Sequence, residues 1–129
     1  MSELVIHACG ICTRACSHQK IDPAQVVICR AWLRRWAYRR KSINTRIGSY
    51  ALKHMVEHST MRPGMTHEQI DPWGRRWSGP YIYVSNGAFI LAALLEGYRA
   101  IPCSSGSPNA YFDLGIRKVP LPVVELDAA

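Results

Sequence analysis

No run of apolar residues in this 129-residue chain matches a membrane span: the longest, Ala88 to Leu95, falls far short of the roughly 20 residues that a spanning helix requires. The first residues also lack the charged, apolar and small-residue regions of a secretory leader. A cytoplasmic protein without a membrane partner is the expectation. A second absence is more specific. Between Pro23 and Val56 there is no acidic residue, while Arg30, Arg34, Arg35, Arg39, Arg40, Lys41, Arg46 and Lys53 all fall there. Half of the 16 positive charges thus form one uninterrupted block, within a chain of formal net charge +7. Such a block favours polyanions through counterion release, or the acidic face of a protein partner, and it excludes an acidic mimic of DNA.

A third absence concerns the cysteines. The chain has five, and four of them stand with two histidines in the stretch from His7 to Cys29. The spacing is Cys9-x2-Cys12-x3-Cys16-x-His18, with Cys29 further on and no second C-x2-C or H-x3-H pair. Full oxidation would leave one thiol over, and in a reducing compartment clustered thiols bind metal more often than they pair. A C-x2-C turn can aim two thiolates at one cation, and structural zinc takes four such ligands from Cys and His. The expected set is Cys9, Cys12, Cys16 and Cys29, with His18 or His7 as substitutes. Zinc is the expected ion, with an iron–sulfur cluster on the same thiols as the alternative. Cys103 stands apart as a small buried hydrophobe.

Immediately after this knot (residues 1–22), the sequence predicts a basic amphipathic helix over 23–41. Asp22 is a suitable N-cap and Pro23 suits the first helical position, where its missing N–H is no loss. Val26, Cys29, Leu33, Trp36 and Ala37 fall on one stripe. Arg30, Arg34, Arg35, Arg39 and Lys41 cover the rest, with Tyr38 among them. Guanidinium groups contact phosphates in pairs, and exposed aromatics stack on unpaired bases. Arg75, Arg76 and Trp77 add a second basic-aromatic patch, unless Trp73 and Trp77 serve to pin their loop to the core. The plain counterpart of both readings is a solvated basic surface.

The remaining chain reads as a helix–loop–helix–hairpin core over 49–114. Ser49 is the expected cap of a second helix through His58. The stretch from Ser59 to Pro80, rich in proline and glycine, is expected to be a long connection. A brief strand at Tyr81–Val84 leads through Ser85, Asn86 and Gly87 into an apolar helix that Gly97 closes. A hairpin of Tyr98–Cys103 and Ala110–Leu114 follows, and residues 115–129 form an extended tail whose Pro120 and Pro122 suit an edge. Within the second helix, His54, Glu57 and His58 spell H-x2-E-H, the order of ligands and base in inverted zinc peptidases. A five-residue pattern of this kind arises easily by chance, and a pair of solvent-facing or hydrogen-bonded histidines is the simpler reading. The fold class expected is α+β: one small, mainly helical domain with a short β-hairpin and a Cys-rich N-terminal metal segment. The element order suggests a winged helix, but an apolar third helix has no face for base edges.

The string SYALKH…YVSNGAFILAALLEGY…SPNAYFDL, from Ser49 to about Leu114, resembles small proteins carried by bacterial phages, prophages and plasmids, a group with no established activity. YVSNGAFI is its most recognisable part, and the N-terminal cysteines are an addition to it. The resemblance implies a mobile genetic element as the setting. Two roles suit that setting: a small nucleic-acid-binding regulator, and an inhibitor of a host defence complex of the anti-CRISPR kind. The first places the arginines on nucleic acid. The second places them on guide RNA or on an acidic subunit of a nucleoprotein. Binding rather than catalysis is the expected activity.

Overall fold

The computed structural model describes residues 4–62, 64–70 and 74–117. Seven strands and three helices follow in the order β1 (Ile6–His7), β2 (Gly10–Ile11), α1 (Pro23–Trp36), β3 (Ala37–Asn44), α2 (Ser49–Ser59), β4 (His67–Ile70), β5 (Arg76–Gly79), α3 (Asn86–Leu95), β6 (Ala100–Pro102) and β7 (Ala110–Ile116). The α+β class holds. The expectation of a mainly helical chain does not, because helices of 14, 11 and 10 residues share the described residues with these strands.

The centre is α3, whose Ala88, Phe89, Ile90, Ala92 and Ala93 are fully buried. A helix that is apolar on every side can only be covered on every side. Phe89 meets Trp32 of α1 edge-on at 6.3 Å and Phe112 of β7 at 5.8 Å, so one ring joins the helical layer to the sheet. Ser85 opens α3 by accepting the Ala88 N–H at 3.0 Å. Gly97, at φ +90°, closes it. There Tyr98 N–H bonds the Ala93 carbonyl and Gly97 N–H the Leu94 carbonyl, both at 3.0 Å, which satisfies carbonyls that the helix end would leave bare.

The sheet runs β3-β7-β6, antiparallel throughout. With its first strand placed between α1 and α2, the order is α1-β3-α2-α3-β6-β7, interrupted by a separate β4–β5 hairpin between α2 and α3. That hairpin replaces the irregular connection expected over 59–80. Tyr81–Val84 lies outside any strand; Gly115 and Ile116, expected to begin the extended tail, complete β7 instead, and the rest of that tail after Arg117 lies outside the described residues.

Two further expectations are corrected. The basic helix stops at Trp36, and the residues from Ala37 onward form the edge strand β3, Ala37 pairing with Ile116 and Tyr38 with Gly115. The reason is local room: a Cβ on Gly115 would stand 2.4 Å from the Tyr38 ring, so glycine alone lets that ring lie across β7. Ser49 does not cap α2, since Gly48 holds the cap position. The Ser49 hydroxyl is buried and accepts the Ala110 N–H at 3.0 Å, tying α2 to β7.

Candidate metal centre and basic surface

The N-terminal knot is built on a two-residue turn, Ala8–Cys9, between β1 and β2. The Cys12 N–H returns to the Val5 carbonyl at 2.8 Å, and the Ala8 N–H reaches the Gln19 carbonyl at 2.9 Å. His18 takes a left-handed conformation, φ 55°, the only described non-glycine residue to do so. That conformation costs on the order of 1 kcal/mol and puts the His18 N–H 3.4 Å from the Cys16 sulfur.

The result gathers His7, Cys12, Cys16 and His18, their four ligand atoms all within 4.8 Å of one another, in an arrangement that could hold a metal ion. The Cys12 sulfur lies 3.6 Å from His18 Nε2 and the Cys16 sulfur 3.5 Å from His7 Nδ1, while the two imidazoles stack at 4.8 Å. Cys9 stands beside this set, its sulfur 2.6 Å from that of Cys16. Burial, followed by the neighbouring Cys16 sulfur, pushes the Cys9 thiol up to about 11 and raises Cys12 as well. At Cys16, burial opposes ionisation. The hydrogen bonds from Cys9, from the His18 N–H and from Cys12 outweigh it and lower the pKa, so Cys16 is the favoured thiolate.

Cys29, expected as the fourth thiolate, is a core residue. It is fully buried in the apolar cluster around Leu33 and Val56, and burial pushes its thiol up to about 12. His7, expected only as a substitute, takes a place in the set instead. The signal was present in the stripe that Cys29 shares with Val26 and Leu33: a helix face that packs against the core turns its thiol there too. Cys103 is partly buried, as a small hydrophobe would be.

The knot is bolted to the start of α3 and to the β6–β7 turn. Asn86 Nδ2 reaches the carbonyls of Cys9 and Pro108 at 3.1 Å and Asn109 Oδ1 at 3.0 Å. The Ile11 N–H bonds the Pro108 carbonyl at 2.9 Å, and the Gly87 N–H bonds the Ala8 carbonyl at 3.0 Å. It therefore covers the start of α3 and the β6–β7 turn.

The basic residues divide by what holds them. Arg30 and Arg34 close on Glu96 from α1, Nε to carboxylate, at 2.6 and 2.8 Å. Arg39 donates to the Gly97 carbonyl and its guanidinium lies over Tyr98 at 5.6 Å. These three arginines meet the C-terminal end of α3, where the helix dipole favours positive charge. Arg35, stacked on Trp36 at 5.1 Å, and Arg40 and Lys41 on β3 pair with no carboxylate among the described residues. Tyr38 is exposed but lies against Gly115, which leaves one ring face for a ligand.

Arg75, Arg76 and Trp77 belong elsewhere. Arg76 and Trp77 share a groove with Asp22 at the start of α1, about 18 Å along the helix axis from Arg34. Trp77 packs on Tyr81 at 4.8 Å. Trp73 lies outside the described residues.

His54, Glu57 and His58 do not gather as metal ligands. Glu57 is buried and its carboxylate is spent internally, on Lys53 Nζ at 3.1 Å, His54 Nδ1 at 2.8 Å and the Val84 N–H at 3.1 Å. Among the described residues the His/Cys set is the one group of three or more such side chains placed to hold an ion. No helix there is long and apolar enough to cross a membrane. The chain matches no family model, no curated protein and no solved structure.

Proposed function

We propose that this protein binds nucleic acid electrostatically through the corner formed by the last turn of α1 and the edge strand β3, with a zinc ion holding the N-terminal knot. The observation that carries the reading is the folded position of the acid-free block. It sets Arg35 on the last turn of α1 and Arg40 and Lys41 on the edge strand β3 that follows it, close in sequence to Arg34 and Arg39 and without carboxylate partners among the described residues. Positive charge on an edge strand also discourages pairing with a second sheet, so the same residues keep the edge open for a charged ligand. Because the knot covers the start of α3, attachment runs through phosphates rather than through base edges read by that helix. A regulatory role in a mobile genetic element accords with the resemblance over residues 49–114.

Zinc accords with the ligand spacing. Bonds of about 2.3 Å to thiolate and about 2.0–2.1 Å to imidazole, in a tetrahedron, separate sulfur from nitrogen by about 3.6 Å. Two of the four sulfur–nitrogen separations here are 3.6 and 3.5 Å, and all four ligand atoms lie within 4.8 Å of one another. A four-thiolate iron–sulfur cluster lacks its fourth sulfur once Cys29 is in the core.

The test replaces Arg35, Arg40 and Lys41 together by Ala, residues without ion pairs among the described residues, and measures affinity for duplex and single-stranded oligonucleotides across a salt series. Affinity drops at least tenfold for every sequence, and the slope of log affinity against log salt falls by about 2–3. Unchanged affinity and slope would falsify the reading. Loss of all binding to nucleic acid by the wild-type chain, with a stable protein partner recovered from nuclease-treated lysate, transfers the surface to the inhibitor role.

A further inference from the structure

Cys9 is the thiol that the ligand set leaves over, and it stands against one of the ligands. Its sulfur is 2.6 Å from the Cys16 sulfur, with both side chains present as free thiols. Two thiolates on one tetrahedral zinc ion stand about 3.8 Å apart, given bonds of about 2.3 Å. The Cys9 sulfur therefore lies too close to Cys16 to share a tetrahedron with it, and close enough to bond to it after a small movement.

The backbone holds the two cysteines in this relation. The Cys9 carbonyl accepts from Asn86 Nδ2 at 3.1 Å, which ties it to α3, and the Cys16 N–H donates to the Thr13 carbonyl at 3.0 Å. Both side chains are partly exposed, and both line a cavity of about 540 Å³ whose walls come from the knot and from α2. A small solute reaches the sulfurs through it. Cys29, fully buried in the core, has no such access.

We infer that Cys9 and Cys16 form a reversible oxidation site at the edge of the metal centre, where a hydroperoxide joins the two sulfurs in a disulfide and discharges the ion. The discharge rests on the zinc reading above, whereas the pairing of the thiols does not. With hydrogen peroxide, the Cys16 thiolate attacks one oxygen: an S–O bond forms, the O–O bond breaks, and hydroxide leaves and takes a proton from solvent. The Cys9 sulfur then attacks the sulfenic sulfur, so that the S–S bond forms, the S–O bond breaks, and the departing hydroxide takes the Cys9 proton. Two electrons pass from the two sulfurs to the peroxide, which ends as two molecules of water. A disulfide sulfur no longer offers a thiolate, and the ion is left with His7, Cys12 and His18. The bonds that seat the knot, from the Ile11 N–H to Pro108 and from the Gly87 N–H to Ala8, involve no sulfur, so the fold outlasts the ion.

Zinc-loaded wild type, Cys9→Ser and Cys103→Ser, treated with hydrogen peroxide, test this. Zinc release is followed with a chromogenic chelator, and disulfides are located by peptide mapping without reductant. Wild type and Cys103→Ser release zinc and yield a peptide linked through Cys9 and Cys16, and dithiothreitol with added zinc restores the metal. Cys9→Ser holds zinc as isolated, but without a resolving thiol its Cys16 oxidises further, and the metal restored by dithiothreitol falls at least fivefold. A linkage of Cys16 to Cys12, no linkage at Cys16, or full recovery by Cys9→Ser overturns the inference. Folded Cys9→Ser isolated without zinc also overturns it, by making Cys9 a ligand. Wild type that carries no zinc yet forms the Cys9–Cys16 disulfide removes the zinc reading and upholds the oxidation site. The wild-type peptide map decides the pairing even where Cys9→Ser does not fold.

Discussion

Gly87 and His7 touch backbone to backbone: a Cβ on Gly87 would stand 1.7 Å from the His7 carbonyl oxygen. The knot is therefore seated against α3 with no room for even one methyl group, and its position is fixed by packing as well as by any ion. Gly10 repeats the arrangement on the other strand, where a Cβ would meet the Pro108 carbonyl at 2.2 Å.

Gly87→Ala pushes the knot off α3. Stability falls by about 3 kcal/mol or more, the range of severe steric defects, and amide exchange accelerates first over residues 6–12. Thermal melting and hydrogen exchange check this; an unchanged melting temperature removes the tight seat.

The ligand set separates from the core thiol by metal content. Purified protein carries about one zinc per chain by elemental analysis. Cys12→Ser or Cys16→Ser loses it, whereas Cys29→Ala retains it while costing about 1–2 kcal/mol for the core volume removed. Retention by Cys16→Ser, or loss by Cys29→Ala with the fold intact, restores Cys29 to the set.

Lys53 and Glu57 are both buried, and removing one strands the other. Glu57→Gln weakens the bonds to Lys53, His54 and the Val84 N–H together and destabilises by about 3–5 kcal/mol. Lys53→Met combined with Glu57→Gln recovers part of that loss in urea titrations. Additive losses mean that the two side chains do not act as a pair.

Glu96 titrates below its ordinary 4.5 in the folded chain, held down by Arg34 foremost and by Arg30, against the effect of burial. Asp113 lies below its ordinary 3.8 through bonds from Arg99 that outweigh its burial. A carboxylate lowered on folding contributes stability above its unfolded pKa and loses it as the pH falls. Stability is therefore level near neutrality and declines below about pH 4.5. Glu96→Gln flattens the upper part of that decline in denaturation curves between about pH 6 and pH 3. An identical slope in the variant removes the Arg34–Glu96 contribution.

How much of this could be read from the residues varied with how local the cause was. The start of α1 was legible because Asp22 and Pro23 act on neighbouring amides. Its end was not: what draws Ala37–Asn44 into a strand is β7, from 68 (Asn44 to Phe112) to 79 (Ala37 to Ile116) residues away, and the space that Gly115 leaves for Tyr38. The metal-binding region was legible from cysteine density. The exact set was not, since spacing alone does not say that Cys29 turns inward or that His7, on β1, turns toward Cys16. The β4–β5 hairpin gave almost no signal in HEQI and RWSG, and its pairing depends on contacts with Tyr81 and Tyr83.

The seat of the knot also sets an order of events during synthesis. Residues 7–18 leave the ribosome early, but Asn86, Gly87 and Pro108, to which they dock, emerge some 70–100 residues later, on the order of ten seconds at ordinary elongation rates. For that interval the thiols of Cys9, Cys12 and Cys16 lack the surface of α3 and the β6–β7 turn against which the knot is seated. They meet the ions of their surroundings before they meet the rest of their own fold.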